Sequence, residues 1–121
     1  MSDQGSSFDV VVVGGGSAGI ATVASLLKRR YWLNIAVIEP KEIHYYQPGW
    51  TMVGGGIFTP EETVRPEESV IPKGVTWIKD AVATFDPDNN NVNLKSGETV
   101  NYKSMVVAPG LKLNLDAVEG L

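Results

Sequence analysis

The chain has 121 residues, 43% of them hydrophobic and 20% charged, with a mean hydropathy of −0.02; this fits one globular domain and excludes a disordered chain. A net charge of −4 with scattered basic residues argues against nucleic acid as a partner. With no cysteine and a single histidine, His44, the chain offers no disulfide, thiolate metal site, cysteine nucleophile or His-based zinc centre, so no metal ligand and no catalytic residue is assigned.

Residues 1–7 read as a loose leader, with neither the basic nor the apolar stretch of a signal peptide. Residues 8–13 are a β-branched run without alternation, as expected of a parallel strand covered on both faces. Gly14-Gly15-Gly16-Ser17-Ala18-Gly19 follows. Ile20, Val23, Ala24 and Leu27 then recur at helical spacing, and Lys28, Arg29 and Arg30 close the helix where its dipole favours cations. Residues 34–39 form a second buried-type strand, which completes a βαβ unit.

Pro40, Pro48, Pro60, Pro66 and Pro72 make a regular sheet improbable across 40–74. A long functional loop is expected there, with short helical pieces near 61–64 and 67–70. Glu61-Glu62 and Glu67-Glu68 read as solvated helix starts. Strands are predicted at 75–79, 81–85, 91–95 and 99–102, linked by tight polar turns into an antiparallel meander. Residues 104–108 read as a last buried strand, ended by Pro109-Gly110.

Gly14, Gly16 and Gly19 satisfy G-x-G-x-x-G between a buried strand and an amphipathic helix, and Glu39 ends the next strand 20 positions past Gly19. In this arrangement Gly14 permits the tight turn, Gly16 lets a diphosphate approach the backbone, and Gly19 lets the helix pack on the sheet. The free N–H groups at the helix start then face the diphosphate. Glu39 is placed to accept two ribose hydroxyls and to repel a 2′-phosphate. A meander followed by a return to a parallel strand resembles FAD domains of the two-dinucleotide flavoproteins. Met105-Val106-Val107-Ala108-Pro109-Gly110 resembles their second signature, with Pro109 where threonine is usual.

The stretch from His44-Tyr45-Tyr46-Gln47-Pro48 through Trp50-Thr51-Met52-Val53 to Gly54-Gly55-Gly56 is the most specific signal. It resembles sulfide:quinone oxidoreductases, in particular the branch with the mitochondrial enzymes. So do Arg65-Pro66, the run from Ser69 to Lys79, and Ala108-Pro109-Gly110-Leu111. The resemblance implies a flavoenzyme that oxidises sulfide at redox cysteines and passes electrons through FAD to a membrane quinone. It implies that Gly14, Gly16, Ser17, Ala18 and Gly19 hold the diphosphate and that Glu39, Pro40 and Lys41 lie along the adenosine. Gln47 would lie near the flavin ring, Val82 would meet adenine through its backbone, and Ala108, Pro109 and Gly110 would follow the diphosphate and ribityl chain.

The fold expected is therefore α/β: a Rossmann-like FAD-binding βαβ sheet with an antiparallel meander inserted. Residues 8–121 form the N-terminal part of that domain, incomplete in this chain. A cysteine-free piece is expected to be inactive alone, to hold FAD weakly or not at all, and to self-associate through the open edge at 105–108. The longer enzyme is expected to be cytoplasmic or peripherally attached to the membrane through segments outside this chain. The rival readings are a type II NADH dehydrogenase, a cytochrome-linked sulfide dehydrogenase, or a nucleotide-binding domain without turnover. His44 is expected to be a loop residue that packs against or hydrogen-bonds the turn, with a place near the flavin edge as the alternative, and Tyr45, Tyr46 and Trp50 either to line a flavin or quinone pocket or to anchor that loop.

Overall fold

The structure, a computed structural model, describes residues 6–121. Strand β1 (Ser6–Val13) leads through the glycine turn into helix α1 (Ser17–Arg29), which returns the chain to β2 (Ile35–Ile38). The insert then holds β3 (Ile43–Tyr45), α2 (Trp50–Gly54), β4 (Val64–Pro66) and α3 (Glu67–Val70). Strands β5 (Thr76–Ile78), β6 (Val82–Asp86), β7 (Asn91–Leu94) and β8 (Thr99–Val107) follow. They assemble into a six-stranded sheet in the order β5-β2-β1-β8-β7-β6, while β3 and β4 make a separate two-stranded ladder. Strands β5, β2, β1 and β8 run parallel, and β8-β7-β6 is the antiparallel meander. The α/β architecture is the one expected from the sequence.

The unbroken apolar runs of β1 and β2 are explained by two cores, one on each face of the sheet. Val10, Val12, Ile35 and Val37 pack against Val23 of α1, and Leu26 and Leu27 border them. On the other face Val11, Val13, Ala36 and Ile38 meet Val92, Leu94, Val100 and Tyr102 from the meander. Ile35 and Ile38 are at most 1% exposed, so alanine at either is expected to cost about 2–5 kcal/mol of folding stability. Urea unfolding checks this, with Tyr31→Ala as the control: Tyr31 is 83% exposed, and its loss should change stability by no more than about 0.5 kcal/mol.

Three details differ from the sequence reading. Ser6 and Ser7, expected in the leader, pair with Val100 and Asn101; residues 1–5 lie outside the described residues. The strands predicted at 99–102 and 104–108 are one strand, β8. Its side-chain alternation nevertheless switches where the break was expected: Tyr102 and Met105 face the meander-side core, while Val106 faces the α1 side. The same switch occurs in β1, where Phe8 borders the meander-side core and Val10 the α1 side, and the N–H groups of Asp9 and Val10 both donate to the Asn34 carbonyl. The insert is also more regular than expected. The helical piece predicted at 67–70 is α3, but the β3–β4 ladder and α2 were not anticipated.

Candidate functional site

The carboxyl ends of β1, β2 and β8 converge on the glycine turn. Gly14 has φ +108°, and a Cβ there would overlap the Ala108 carbonyl, so only glycine fits between β1 and the end of β8. Its N–H donates to the Ile38 carbonyl at 2.9 Å, which ties the turn to β2. A Cβ on Gly19 would overlap the Gly14 carbonyl oxygen, so glycine there lets α1 approach the strand. Gly16 differs: a Cβ there would meet nothing within 4 Å. Gly16 caps α1, no side chain caps the helix, and its first turn carries no acidic residue. The helix N-terminus thus presents unpaired N–H groups and the positive end of its dipole to open space.

Glu39 stands immediately after β2. Its Oε1 accepts the Gly15 N–H at 2.8 Å and its Oε2 accepts the Lys41 N–H at 2.9 Å. The Trp77 indole N–H donates to the Glu39 carbonyl at 3.0 Å, which locks the backbone against β5. Each carboxylate oxygen keeps a further lone pair, so Glu39 can accept two more hydrogen bonds from a diol.

A cleft of about 690 Å³ runs along these groups. It is lined by Gly16, Ser17 and Ala18 at the start of α1, by Glu39 and Lys41, by Gln47 and Pro48 of the insert, and by Ala108, Pro109 and Gly110 after β8. An adjoining recess of about 360 Å³ is lined by Gly14, Glu39, Pro40, Val82 and Pro109 among others. Gly19 is the one predicted site residue in neither cavity; it is buried beneath the turn. Val82 and Pro40 both line the adjoining recess, together with Glu39.

Three residues of this site lie outside the predicted set; one, His44, was expected to pack against or bond the turn, and the other two were missed in the sequence. His44 is 7% exposed and its Nδ1 lies 3.1 Å from the Gly15 carbonyl, so the loop histidine does bond the turn, as a buried group. Glu67 was read as a solvated helix start; it is 1% exposed and faces His44 at 3.3 Å. Burial pushes its carboxyl above the usual range, Glu39 adds to the rise, and His44 opposes it. The third is Gly15, whose N–H and carbonyl are both engaged. Among the aromatics, Tyr45 lines the cleft, whereas Tyr46 packs on Gly49 within the insert.

Among the described residues no group of His, Asp and Glu is arranged to hold a metal ion, and no helix is long and apolar enough to cross a membrane. The chain is 46% identical over 114 residues to the mitochondrial sulfide:quinone oxidoreductase of Dictyostelium discoideum and 44% identical over 115 residues to that of Mus musculus. These alignments take in 93% and 94% of this chain but only 25% of each relative, so the chain spans about a quarter of their length. The solved sulfide:quinone oxidoreductase of Aquifex aeolicus superposes with a TM-score of 0.72 at 28% identity, covering 91% of this chain and 25% of that one. Residues 8–121 match the family pattern across the whole βαβ unit, insert and meander, and the chain belongs to the pyridine nucleotide-disulphide oxidoreductase family.

Proposed function

We propose that the cleft holds the adenosine diphosphate half of FAD and that the chain is the flavin-binding part of a sulfide:quinone oxidoreductase. Family membership supports the coarser statement, an oxidoreductase with a flavin or nucleotide cofactor. The observation that carries the finer one is the convergence in one cleft of the α1 N-terminus, Glu39, Gln47 and Ala108-Pro109-Gly110, far apart in sequence. The residues present fit the cofactor: a Cβ at Gly16 would fill the space against the helix N-terminus where a diphosphate belongs.

In this reading the N–H groups of Ser17 and Ala18 bind the diphosphate, and Glu39 accepts both ribose hydroxyls. A 2′-phosphate would meet the Glu39 carboxylate, which selects against phosphorylated dinucleotides. Pro40, Lys41 and the Val82 backbone flank the adenine end. Gln47 lies toward the flavin ring, and Ala108, Pro109 and Gly110 follow the diphosphate and ribityl chain. The bound flavin supplies two-electron transfer between sulfide and quinone. The cysteines at which sulfide reacts, and the peripheral membrane contact that a quinone requires, belong to parts of such an enzyme beyond this chain.

Glu39→Ala is expected to weaken dinucleotide binding by about 1–3 kcal/mol, the scale for leaving polar partners unmatched. Calorimetric titration with ADP-ribose, the adenosine half of the ligand, measures it; unchanged affinity would remove Glu39 from the site. The activity has its own test. Sulfide should bleach the flavin absorbance of a protein of the relatives' length that contains this chain. The cysteine-free chain with added FAD should show no sulfide-dependent reduction. A flavin in the longer protein that sulfide leaves oxidised would contradict the sulfide assignment and leave the cofactor assignment standing.

A further inference from the structure

We propose that Glu67 and His44 are positioning residues for the glycine turn: Glu67, acting through His44, holds the Gly15 peptide in the orientation that opens the α1 N-terminus to a diphosphate. The ligand part of this rests on the dinucleotide reading above; the positioning part does not.

The Gly15 residue is gripped at both ends. Its N–H donates to Glu39 Oε1 at 2.8 Å, and its carbonyl lies 3.1 Å from His44 Nδ1. A carbonyl only accepts, so His44 Nδ1 carries the hydrogen. The same Nδ1 is 3.3 Å from Glu67 Oε1, and this second acceptor fixes the ring and its tautomer. The Glu67 N–H donates to the Glu42 carbonyl at 2.7 Å, which anchors the start of α3 beside β3. The chain of contacts therefore runs from α3 through His44 of β3 to the residue next to Gly16.

Glu67 also accounts for the identity of Gly15. Gly15 has no positive φ, so its backbone does not require glycine. A Cβ there would lie 2.5 Å from Glu67 Oε2 and 2.9 Å from the Glu39 side chain. The Glu67 carboxylate and the Glu39 side-chain stem close over the Gly15 Cα from two segments. Glu67 Oε2 is buried and has no hydrogen-bond partner. Burying a carboxyl with an unmatched oxygen is costly, and a site that keeps one needs a reason beyond packing.

The electrostatics point the same way. The groups facing Glu67 are His44 from β3 and Glu39 from the end of β2, with Lys41 along the same cleft. Glu68 of α3 and Arg65 of β4 are exposed, and the Arg65 guanidinium is occupied by the Glu62 and Val64 carbonyls. With Glu67 neutral one negative charge beside the turn is gone, so an anionic diphosphate binds more tightly than it does once Glu67 ionises.

The test uses the whole chain and two near-isosteric variants. Glu67→Gln keeps an acceptor for His44; Glu67→Met removes it. The first readout needs no ligand. Hydrogen exchange at the Gly15 amide should accelerate about tenfold in the Met variant, the ratio for one net hydrogen bond lost, and stay near wild type in the Gln variant. Global stability by urea unfolding is measured alongside. If Gly15 exchange is unchanged in both variants, or rises only in proportion to global unfolding, Glu67 does not position the turn. The second readout is ADP-ribose affinity, chosen because its diphosphate does not titrate near neutrality. Wild-type Kd should rise by about threefold or more as pH rises from the ordinary carboxylate range through the raised range in which Glu67 ionises, and Glu67→Gln should flatten that slope. A slope that persists in the Gln variant would overturn the charge coupling. Wild type that binds no ADP-ribose would overturn the dinucleotide reading, while the exchange result still decides the positioning role.

Discussion

Valine in place of Gly19 is expected to abolish folding, whereas valine in place of Gly16 is expected to leave the fold intact and abolish dinucleotide binding. The two residues lie three positions apart in one motif that gives them different roles, and their surroundings differ accordingly. At Gly19 the new side chain would overlap the backbone oxygen of Gly14, on the line where α1 approaches β1, and neither backbone can yield without opening the sheet. The cost should reach about 4 kcal/mol or more, a large part of the stability of a domain this size. Gly14→Val should behave alike, from a positive φ combined with overlap at Ala108. Gly16 has an extended backbone that valine adopts readily, and open space around it. Its substitution should change stability by no more than about 0.5 kcal/mol. Circular dichroism in urea and ADP-ribose titration of the same samples separate the two effects. A stable Gly19→Val chain, or a Gly16→Val chain that still binds, would refute the division of labour.

The second large effect is self-association. β7 pairs with β8 only from Thr99 to Asn101, so among the described residues no strand covers the far edge of β8 beyond that point. Val107 on this edge is 51% exposed, and Leu111, Leu113, Leu115 and Val118 beyond it are exposed as well. An unpaired strand without proline or an inward charge is a template for another chain, and a patch of this kind adds apolar area to the contact. Sedimentation at micromolar concentration should show a dimer or larger species. Val107→Lys should move it to monomer without loss of folding. Val106 is a poorer place for the charge, because it packs against the α1-side core. A monodisperse wild-type monomer would show that the chain protects its own edge.

The central sheet and the glycine turn were legible because each is encoded locally. Four valines buried on both faces mark β1, the three- and four-residue spacing of Ile20, Val23 and Leu27 marks α1, and Gly14 to Glu39 carry the motif between them. The insert was not legible. Its strands β3 and β4 are three residues each, too short for a period, and β4 ends on Pro66, which reads as a breaker. Glu67 was unreadable for a different reason. Adjacent to Glu68 at a helix start it has the pattern of a solvated acid. Its burial is imposed by His44 and Gly15, which lie 23 and 52 positions earlier in the chain. The same holds for Gly15, whose requirement for glycine comes from side chains on two other elements. Lys103 lies between: the change of facing was visible as a break, but the continuity of β8 depends on its pairing with β1.

The account stands most directly on the claim that the glycine turn and Glu39 hold the adenosine diphosphate of FAD. Amide chemical shifts of the labelled chain, followed while FAD or ADP-ribose is added, test it without requiring tight binding. The predicted result is saturable shifts at Gly14 through Gly19, Glu39, Lys41 and Val82, lost in Gly16→Val. Shifts absent from those amides at saturating ligand, or unchanged in the variant, would contradict it.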